Sequence, residues 1–264
     1  KNKVKSGKYL IYNGVNNWDL VNLLRSGEQK PVRVVLNNIR LKEDLCREVG
    51  KQIEADSTVL LSMLNDKYYL RKYSLTTESV MSIFIPNSYE FYWTTSPEQF
   101  FERMTKEYKK FWTTQRKKKA ELIGFTPLEV SVMASIVQKE TAKNDEKARI
   151  AGVYMNRYKK DWKLQADPTV IFAVQDFTIR RILKQHLKFD SPYNTYIYTG
   201  LPPGPICAPS ISSIDAVLNY EDHNYMYFCA KEDFSGYHNF AKTYSQHKVN
   251  ARKYRKAFKN RNKS

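Results

Sequence analysis

Residues 126–141 carry the clearest local signal in the chain, because they predict one helix with a well-defined start. Thr126 suits the N-cap position and Pro127 the first helical position, and Glu129 completes the T-x-x-E pattern of a capping box. Glu140 continues the helical spacing of the apolar residues, so a carboxylate is predicted on the apolar face near the C-terminal end. Those apolar residues are Leu128, Val132, Met133, Ile136 and Val137.

The predicted position of Glu140 gives two reasons for a raised pKa. The helix dipole disfavours negative charge at a C-terminal end, and apolar surroundings disfavour the ionised carboxylate. A glutamate with a raised pKa keeps its proton near neutral pH and can act as a general acid. The spacing also allows a plainer interpretation, in which Glu140 turns outward to solvent or pairs with a nearby lysine or arginine.

Composition narrows the class of protein. A length of 264 residues allows one large domain or two smaller ones, and 42% hydrophobic residues indicate a globular chain. The net charge of +17, much of it in the runs 106–119 and 252–263, favours an anionic neighbour: nucleic acid, a membrane surface or an acidic polymer. The 14% of aromatic residues fits nucleic acid and glycans alike, and no RNP, KH, zinc-finger or helix-turn-helix pattern is present.

Metal ligation and nucleophilic catalysis find little support. The four histidines form no H-E-x-x-H pattern, and no G-x-S-x-G pattern or Gly-rich phosphate loop occurs, so we expect no metal and no cofactor. His238 and His247 flank the end of a predicted hairpin, where they could meet. Cys46, Cys207 and Cys229 lack a C-x-x-C pair. A Cys207–Cys229 bridge is one alternative, and buried free thiols are the expectation.

The first half of the chain predicts a small module followed by helices. Strands at 8–12 and 31–36 alternate with helices at 18–26 and 41–54 to give a β-α-β-α unit. A short helix follows at 57–65. Residues 82–93 then form an aromatic strand-and-turn segment around Glu90, and a long basic helix spans 97–123.

The second half is mainly helical. A helix is predicted at 145–159, and another starts at Asp167, whose favoured role is N-cap before Pro168. Five of the ten prolines fall in the stretch 191–209, which predicts a long, stiff loop of the kind that is often functional. A short helix at 211–219, a hairpin of 225–230 with 237–241, and a basic helix from about 245 complete the chain.

These elements together favour one chemistry. An acidic residue on an apolar helix face, a rigid Pro/Gly loop and polar-aromatic stretches are typical of an acid–base enzyme that acts on carbohydrate.

Five ordered motifs resemble the endolytic murein transglycosylase family, also called YceG-like. They are A-S-I-V-Q-K-E-T-A at 134–142, V-Y-M-N-R at 153–157, L-Q-A-D-P-T-V at 164–170, Y-N-T-Y at 193–196 and G-L-P-P-G-P-I at 200–206. S-Y-E-F-Y at 88–92 and H-N-F at 238–240 extend the resemblance, and residues 1–55 more loosely resemble that family's LysM-like module.

The resemblance implies an α+β fold with a LysM-like module and connector at 1–75 and a catalytic domain at 76–264. It implies a bacterial inner-membrane protein with an extracytoplasmic catalytic domain, whose single N-terminal anchor we expect to precede Lys1. Expected partners are peptidoglycan glycan strands, cell-wall synthases and an anionic membrane surface, without nucleic acid.

The resemblance also implies a reaction. Cleavage of MurNAc–GlcNAc β-1,4 bonds in nascent strands would give 1,6-anhydroMurNAc ends, with Glu140 of the K-E-T motif as the single catalytic acid and base. Two other functions stay open: a non-catalytic peptidoglycan-binding or scaffold protein, and, from charge alone, a nucleic-acid-binding protein. The residues assigned to substrate binding are Glu90, Gln165, Asp167, Asn194, Tyr196, Gly200, Pro202, Gly204 and His238.

Overall fold

The computed structural model describes residues 3–261, which form a mixed α+β fold dominated by helices. The chain divides into two compact units, Lys1–Phe111 and Trp112–Ser264. In the first unit the helices are α1 Asn17–Ser26, α2 Lys42–Gly50, α3 Ser57–Asn65, α4 Lys67–Arg71 and α5 Pro97–Phe111, and the strands are β1 Val32–Leu36 and β2 Asn87–Phe91. In the second they are α6 Thr114–Leu122, α7 Pro127–Glu140, α8 Lys147–Lys159, α9 Asp167–Val174, α10 Ile211–Leu218 and α11 Tyr244–Arg261, with strands β3 Tyr227–Ala230 and β4 His238–Ala241.

The first unit is organised by a two-stranded antiparallel sheet. β1 pairs with β2 in a register that places Val34 opposite Tyr89. Side chains alternate across the sheet as the period of two requires, so Val34 is buried and Val35 is 45% exposed. The buried face packs into the aliphatic and aromatic core of this unit, which includes Phe100 and Phe101 of α5.

Predictions for the first unit succeed where the signals are local. α1 begins after Asn16, whose side chain accepts from Asp19 N–H, and ends at Gly27 with φ 78°, as predicted. The predicted strand at 8–12 is wrong, because those residues form no strand and β1 takes β2 as its partner. The β-α-β-α unit is therefore not formed as predicted, and the LysM-like resemblance is not confirmed.

The compact units divide later in the chain than the predicted boundary at residue 75. Because β2 pairs with β1, residues 76–111 belong with the N-terminal part of the chain. The assignment of 1–75 to a LysM-like module and of 76–264 to a catalytic domain stays a prediction.

The basic stretch 97–123 forms two helices rather than the one predicted. α5 ends at Phe111, and Thr113 caps α6 by accepting the N–H of Arg116 at 3.3 Å. Trp112 between the two helices is 2% exposed. Interrupting the helix here buries a tryptophan and gains an N-cap. The free energy gained in this way outweighs the helical propensity of the lysine-rich sequence.

α7 is the central helix of the second unit. Its capping box forms as predicted, with Thr126 Oγ1 accepting Glu129 N–H and the Glu129 carboxylate accepting Thr126 N–H. Residues 130–137 are all buried, so the helix is enclosed on every side by its neighbours, which include α8 and α10.

Two further predictions concern the rest of this unit. The hairpin of β3 and β4 forms as predicted, and α11 packs on it. None of the three cysteines forms a disulfide among the described residues; Cys46 and Cys207 are buried as expected, whereas Cys229 is only partly buried. Among the described residues no single helix has the length and hydropathy of a membrane span. Taken as a pair, α6 and α7 have that length and hydropathy, but they are bent by 76° relative to each other.

Candidate active site

Glu140 is the last residue of α7, and it is held against α8. Its Oε1 accepts a hydrogen bond from the hydroxyl of Tyr154, a side chain that is 1% exposed. The plainer interpretation of an outward-turned glutamate is therefore wrong. Glu140 itself is only partly buried, so its carboxylate is held by Tyr154 and is still reachable from solvent.

The surroundings of Glu140 raise its pKa to about 7. Desolvation is the largest cause, and the negative charge of Asp167 acts in the same direction. The Tyr154 hydrogen bond and the positive charge of Arg157 oppose them, because both favour the carboxylate. The predicted rise in the pKa of Glu140 is confirmed, with burial as its largest cause. A group with this pKa can give and take a proton near neutral pH.

Tyr154 and Arg157 are the functional neighbours that sequence reasoning missed. Burial and the adjacent Glu140 raise the pKa of Tyr154 well above its usual value, so it stays a phenol and a donor. Arg157 is 7% exposed and donates from Nε to Met226 O at 2.9 Å, which fixes its charge in the interior. Tyr154 and Arg157 lie three residues apart on one face of α8, and this spacing is the signal by which the sequence could have found them.

Asp167 does not cap α9, so its predicted capping role is wrong. The N-cap is Ala166, and the Asp167 carboxylate instead accepts the Tyr196 hydroxyl at 2.6 Å. Burial and Asp167 raise the pKa of Tyr196, which keeps that hydroxyl protonated. The contact joins the L-Q-A-D-P-T-V and Y-N-T-Y motifs at one place.

The neighbours of that contact hold the backbone. Asn194 is fully buried, and its amide nitrogen donates to the carbonyls of Leu187 and Phe189 at 3.1 and 2.8 Å. Its Oδ1 accepts the N–H of Tyr196, so its visible role is to position Tyr196. Gln165 has φ 51° and an exposed side chain. Direct contact of Asn194 or Gln165 with a substrate stays a prediction.

The proline-rich loop 200–206 lies against α7. Gly200 has φ 76°, a conformation that favours glycine, and Pro202 and Gly204 are buried. The N–H of the last loop residue donates to Ser135 Oγ at 3.0 Å. The loop thus has a fixed position beside the helix that carries Glu140.

Glu90 belongs to the first unit, whereas Glu140 belongs to the second. It is exposed on β2, opposite Arg33, and lines a cavity of about 450 Å³ with Gln99 and Arg103 among others. Its predicted contribution to substrate binding stays a prediction.

His238 is tied to a buried carboxylate rather than left free. Its Nδ1 lies 2.7 Å from Glu146 Oε2, and its backbone N–H donates to Glu146 Oε1 at 2.9 Å. His247, which could have met it, stacks instead on Tyr227 with ring centroids 5.3 Å apart. Within residues 3–261 no three His, Cys, Asp or Glu side chains are grouped to hold a metal ion.

The mixed α+β fold holds a partly buried glutamate with a phenol donor, an arrangement that can give and take a proton near neutral pH. The chain belongs to the YceG-like family, whose model matches residues 1–253.

Named relatives and a solved structure agree with this membership. An endolytic murein transglycosylase of Bacillus subtilis is 42% identical over 122 residues, which are 46% of this chain and 33% of that protein. One of Streptococcus pneumoniae is 26% identical over 262 residues, 86% of this chain and 46% of that protein. The chain thus spans less than half the length of these relatives.

A crystal structure of a YceG-like protein from Listeria monocytogenes shares the fold. It superposes with a TM-score of 0.71 at 26% identity, over 89% of this chain and 81% of that one.

Proposed function

We propose that this chain is a peptidoglycan lytic transglycosylase that cleaves MurNAc–GlcNAc β-1,4 bonds within glycan strands, with Glu140 as its acid and base. The observation that carries the proposal is the environment of Glu140: partly exposed, held by Tyr154, with a pKa of about 7. Family membership and the activity named for the Bacillus and Streptococcus relatives support it.

The first step uses the proton of Glu140. The carboxyl group protonates the bridging oxygen as the bond from C1 of MurNAc to that oxygen breaks, and GlcNAc leaves with a free hydroxyl. Because Tyr154 donates to Oε1, the other oxygen is left to carry the proton. A protonated carboxyl is available at neutral pH only because burial holds the pKa near 7.

The second step returns that proton. The C6 hydroxyl of MurNAc attacks C1, and the carboxylate of Glu140 takes its proton as the bond from O6 to C1 forms. The products are a 1,6-anhydroMurNAc end and a GlcNAc end, no water is consumed, and Glu140 ends as it began. Because the attack is intramolecular, the task left to the protein is to orient the sugar and exclude water.

The surroundings of the enzyme follow from the same proposal. The substrate would be a nascent strand outside the cytoplasmic membrane, with an N-terminal anchor holding the chain near that surface and cell-wall synthases as partners. A net charge of +17 suits an anionic surface of this kind.

The test is digestion of purified peptidoglycan by wild type and by Glu140→Gln, with the products resolved by mass spectrometry. We expect wild type to release muropeptides lighter by one water than hydrolytic ones. Loss of the general acid and base should reduce the rate by about 10²- to 10⁴-fold. Glu121→Gln, an exposed position on α6, is the matched control and should cleave like wild type.

Other outcomes would contradict the proposal in distinct ways. Products with ordinary reducing ends would indicate a hydrolase on this scaffold. Retention on peptidoglycan without cleavage by wild type would favour a binding or scaffold protein. Cleavage by Glu140→Gln at the wild-type rate would remove Glu140 from the chemistry.

A further inference from the structure

A second site lies in the C-terminal unit, formed by residues that the proposed reaction does not use. A cavity of about 400 Å³ is lined by Arg180, Arg181, Tyr254, Arg255 and Phe258, which together we call the basic pocket. It joins the segment after α9 to α11. Its α11 residues lie beyond residue 253, where the family match ends.

The three arginines of the basic pocket are not neutralised by the protein. Within residues 3–261, none of Arg180, Arg181 and Arg255 forms an ion pair with a carboxylate. Arg255 donates from Nε to Ala251 O, which orients the guanidinium without reducing its charge. Three like charges around one cavity repel each other unless an anion enters.

The rest of the basic pocket is aromatic. Tyr254 packs against Phe234 and is stacked with Phe258, with ring centroids 5.9 and 6.1 Å away. Apolar walls beside cations lower the local dielectric and concentrate the positive potential inside the cavity.

The shape of the cationic groups selects among anions. A guanidinium is a rigid fork that matches two oxygens at once. The two oxygens of a carboxylate lie in one trigonal plane, whereas the two non-bridging oxygens of a phosphodiester stand on a tetrahedral phosphorus and can accept from forks on different sides. Arginines arriving from two separate segments fit the phosphate better.

α11 extends the positive charge beyond the pocket. Its 18 residues contain seven Lys or Arg and no Asp or Glu. Lys248, Arg252, Arg255 and Lys259 recur at three- and four-residue spacing, so they form one stripe with a rise of about 4.5 to 6 Å between neighbours. A chain of anionic groups can follow such a stripe, which a single small anion would leave unused.

We propose that the basic pocket and the α11 stripe bind a phosphodiester polymer through its backbone phosphates. This inference goes beyond the proposed cleavage of glycan, because a strand of alternating sugars needs no phosphate site.

The experiment measures fluorescence anisotropy of a labelled abasic sugar–phosphate oligomer, which presents a phosphodiester backbone without bases. We expect salt-sensitive binding by wild type, and binding weaker by about tenfold or more for Arg180→Gln/Arg181→Gln. Lys117→Gln/Lys118→Gln removes the same charge from exposed positions on α6 and should change affinity by less than about twofold. Because all four positions are exposed, thermal unfolding should match wild type in both proteins.

A third variant distinguishes binding by the guanidinium groups of the basic pocket from non-specific attraction to positive charge. Arg180→Lys/Arg181→Lys keeps the charge and removes the forks, so we expect it to bind several-fold more weakly than wild type. Wild-type affinity in this variant would contradict the proposal that the arginine forks of the basic pocket bind phosphate. Tighter binding of a base-containing strand would indicate a nucleic-acid surface instead. Binding only to phosphatidylglycerol vesicles would indicate a membrane surface. The readout does not depend on glycan cleavage.

Discussion

Glu140 and Glu146 flank the turn between α7 and α8, yet their burial and their hydrogen-bond donors differ. Glu146 is 3% exposed and accepts two hydrogen bonds from His238, one from the backbone N–H and one from the ring. Glu140 is only partly buried, and within residues 3–261 its carboxylate accepts from one side-chain donor, the neutral phenol of Tyr154. The more deeply buried carboxylate is thus the better compensated one.

The contrast shows that burial alone does not make a catalytic acid. A buried carboxylate with a backbone donor and an imidazole serves as a structural tie between the residue before α8 and strand β4. A carboxylate that loses water and gains only one neutral donor keeps a raised pKa and a proton to exchange. We therefore expect changes at Glu146 to affect stability and changes around Glu140 to affect the pH dependence.

The largest effect expected in stability comes from Glu140→Gln. The pKa of Glu140 rises from 4.5 to about 7 on folding, so ionisation destabilises the folded state as pH increases through this window. Glu140→Gln should be more stable than wild type by up to about 3 kcal/mol near pH 8 and equal to it near pH 4. Urea unfolding at both pH values measures the difference. Equal stability throughout would show that Glu140 is solvated like an ordinary surface glutamate.

A smaller loss is expected from Glu146→Gln. The substitution removes the charge that pairs with His238 inside the protein, so unfolding free energy should fall by about 2 kcal/mol. The same urea series measures the loss, and the pH–rate profile of cleavage should keep its shape. A shifted pH–rate profile with an unchanged unfolding free energy would show that Glu146 takes part in the reaction. The structural role assigned to Glu146 would then be wrong.

Tyr154→Phe tests whether the single neutral donor of Glu140 affects its pKa. In the proposed reaction cleavage needs protonated Glu140, so activity should decline as pH rises through about 7. The Tyr154 hydroxyl stabilises the carboxylate, and its loss should move this decline upward by about one pH unit at most. The profile of kcat/KM against pH is the measurement. A decline at the wild-type pH would show that the hydrogen bond does not act on Glu140 during catalysis.

Asp167→Asn should move the same decline the opposite way. The negative charge of Asp167 raises the pKa of Glu140, so removing it should lower the decline, by about a few tenths of a pH unit because Asp167 is exposed. Tyr196→Phe keeps that charge and is the matched control. Shifts of the same sign in Asp167→Asn and Tyr154→Phe would contradict this electrostatic account.

The sequence predicts best what neighbouring residues decide. Thr126 with Glu129, Asn16 with Asp19, and Gly27 satisfy helix ends within a few residues, so those helices begin and end where expected. The strand at 8–12 failed because a strand needs a partner, and β1 found its partner in β2 more than fifty residues away. The break at Trp112 likewise depends on a place for a tryptophan to be buried.

The sequence by itself determined the helix that carries Glu140, the apolar face it shares, and the motifs of the YceG-like family. Only the tertiary structure decided that Tyr154 holds Glu140, that Asp167 accepts Tyr196 rather than capping α9, and that Glu146 is tied to His238. The physical reason is the distance along the chain over which each interaction acts. Capping and helical spacing act over one or two turns of the chain, whereas the donors that set a carboxylate's proton affinity arrive from separate elements through packing.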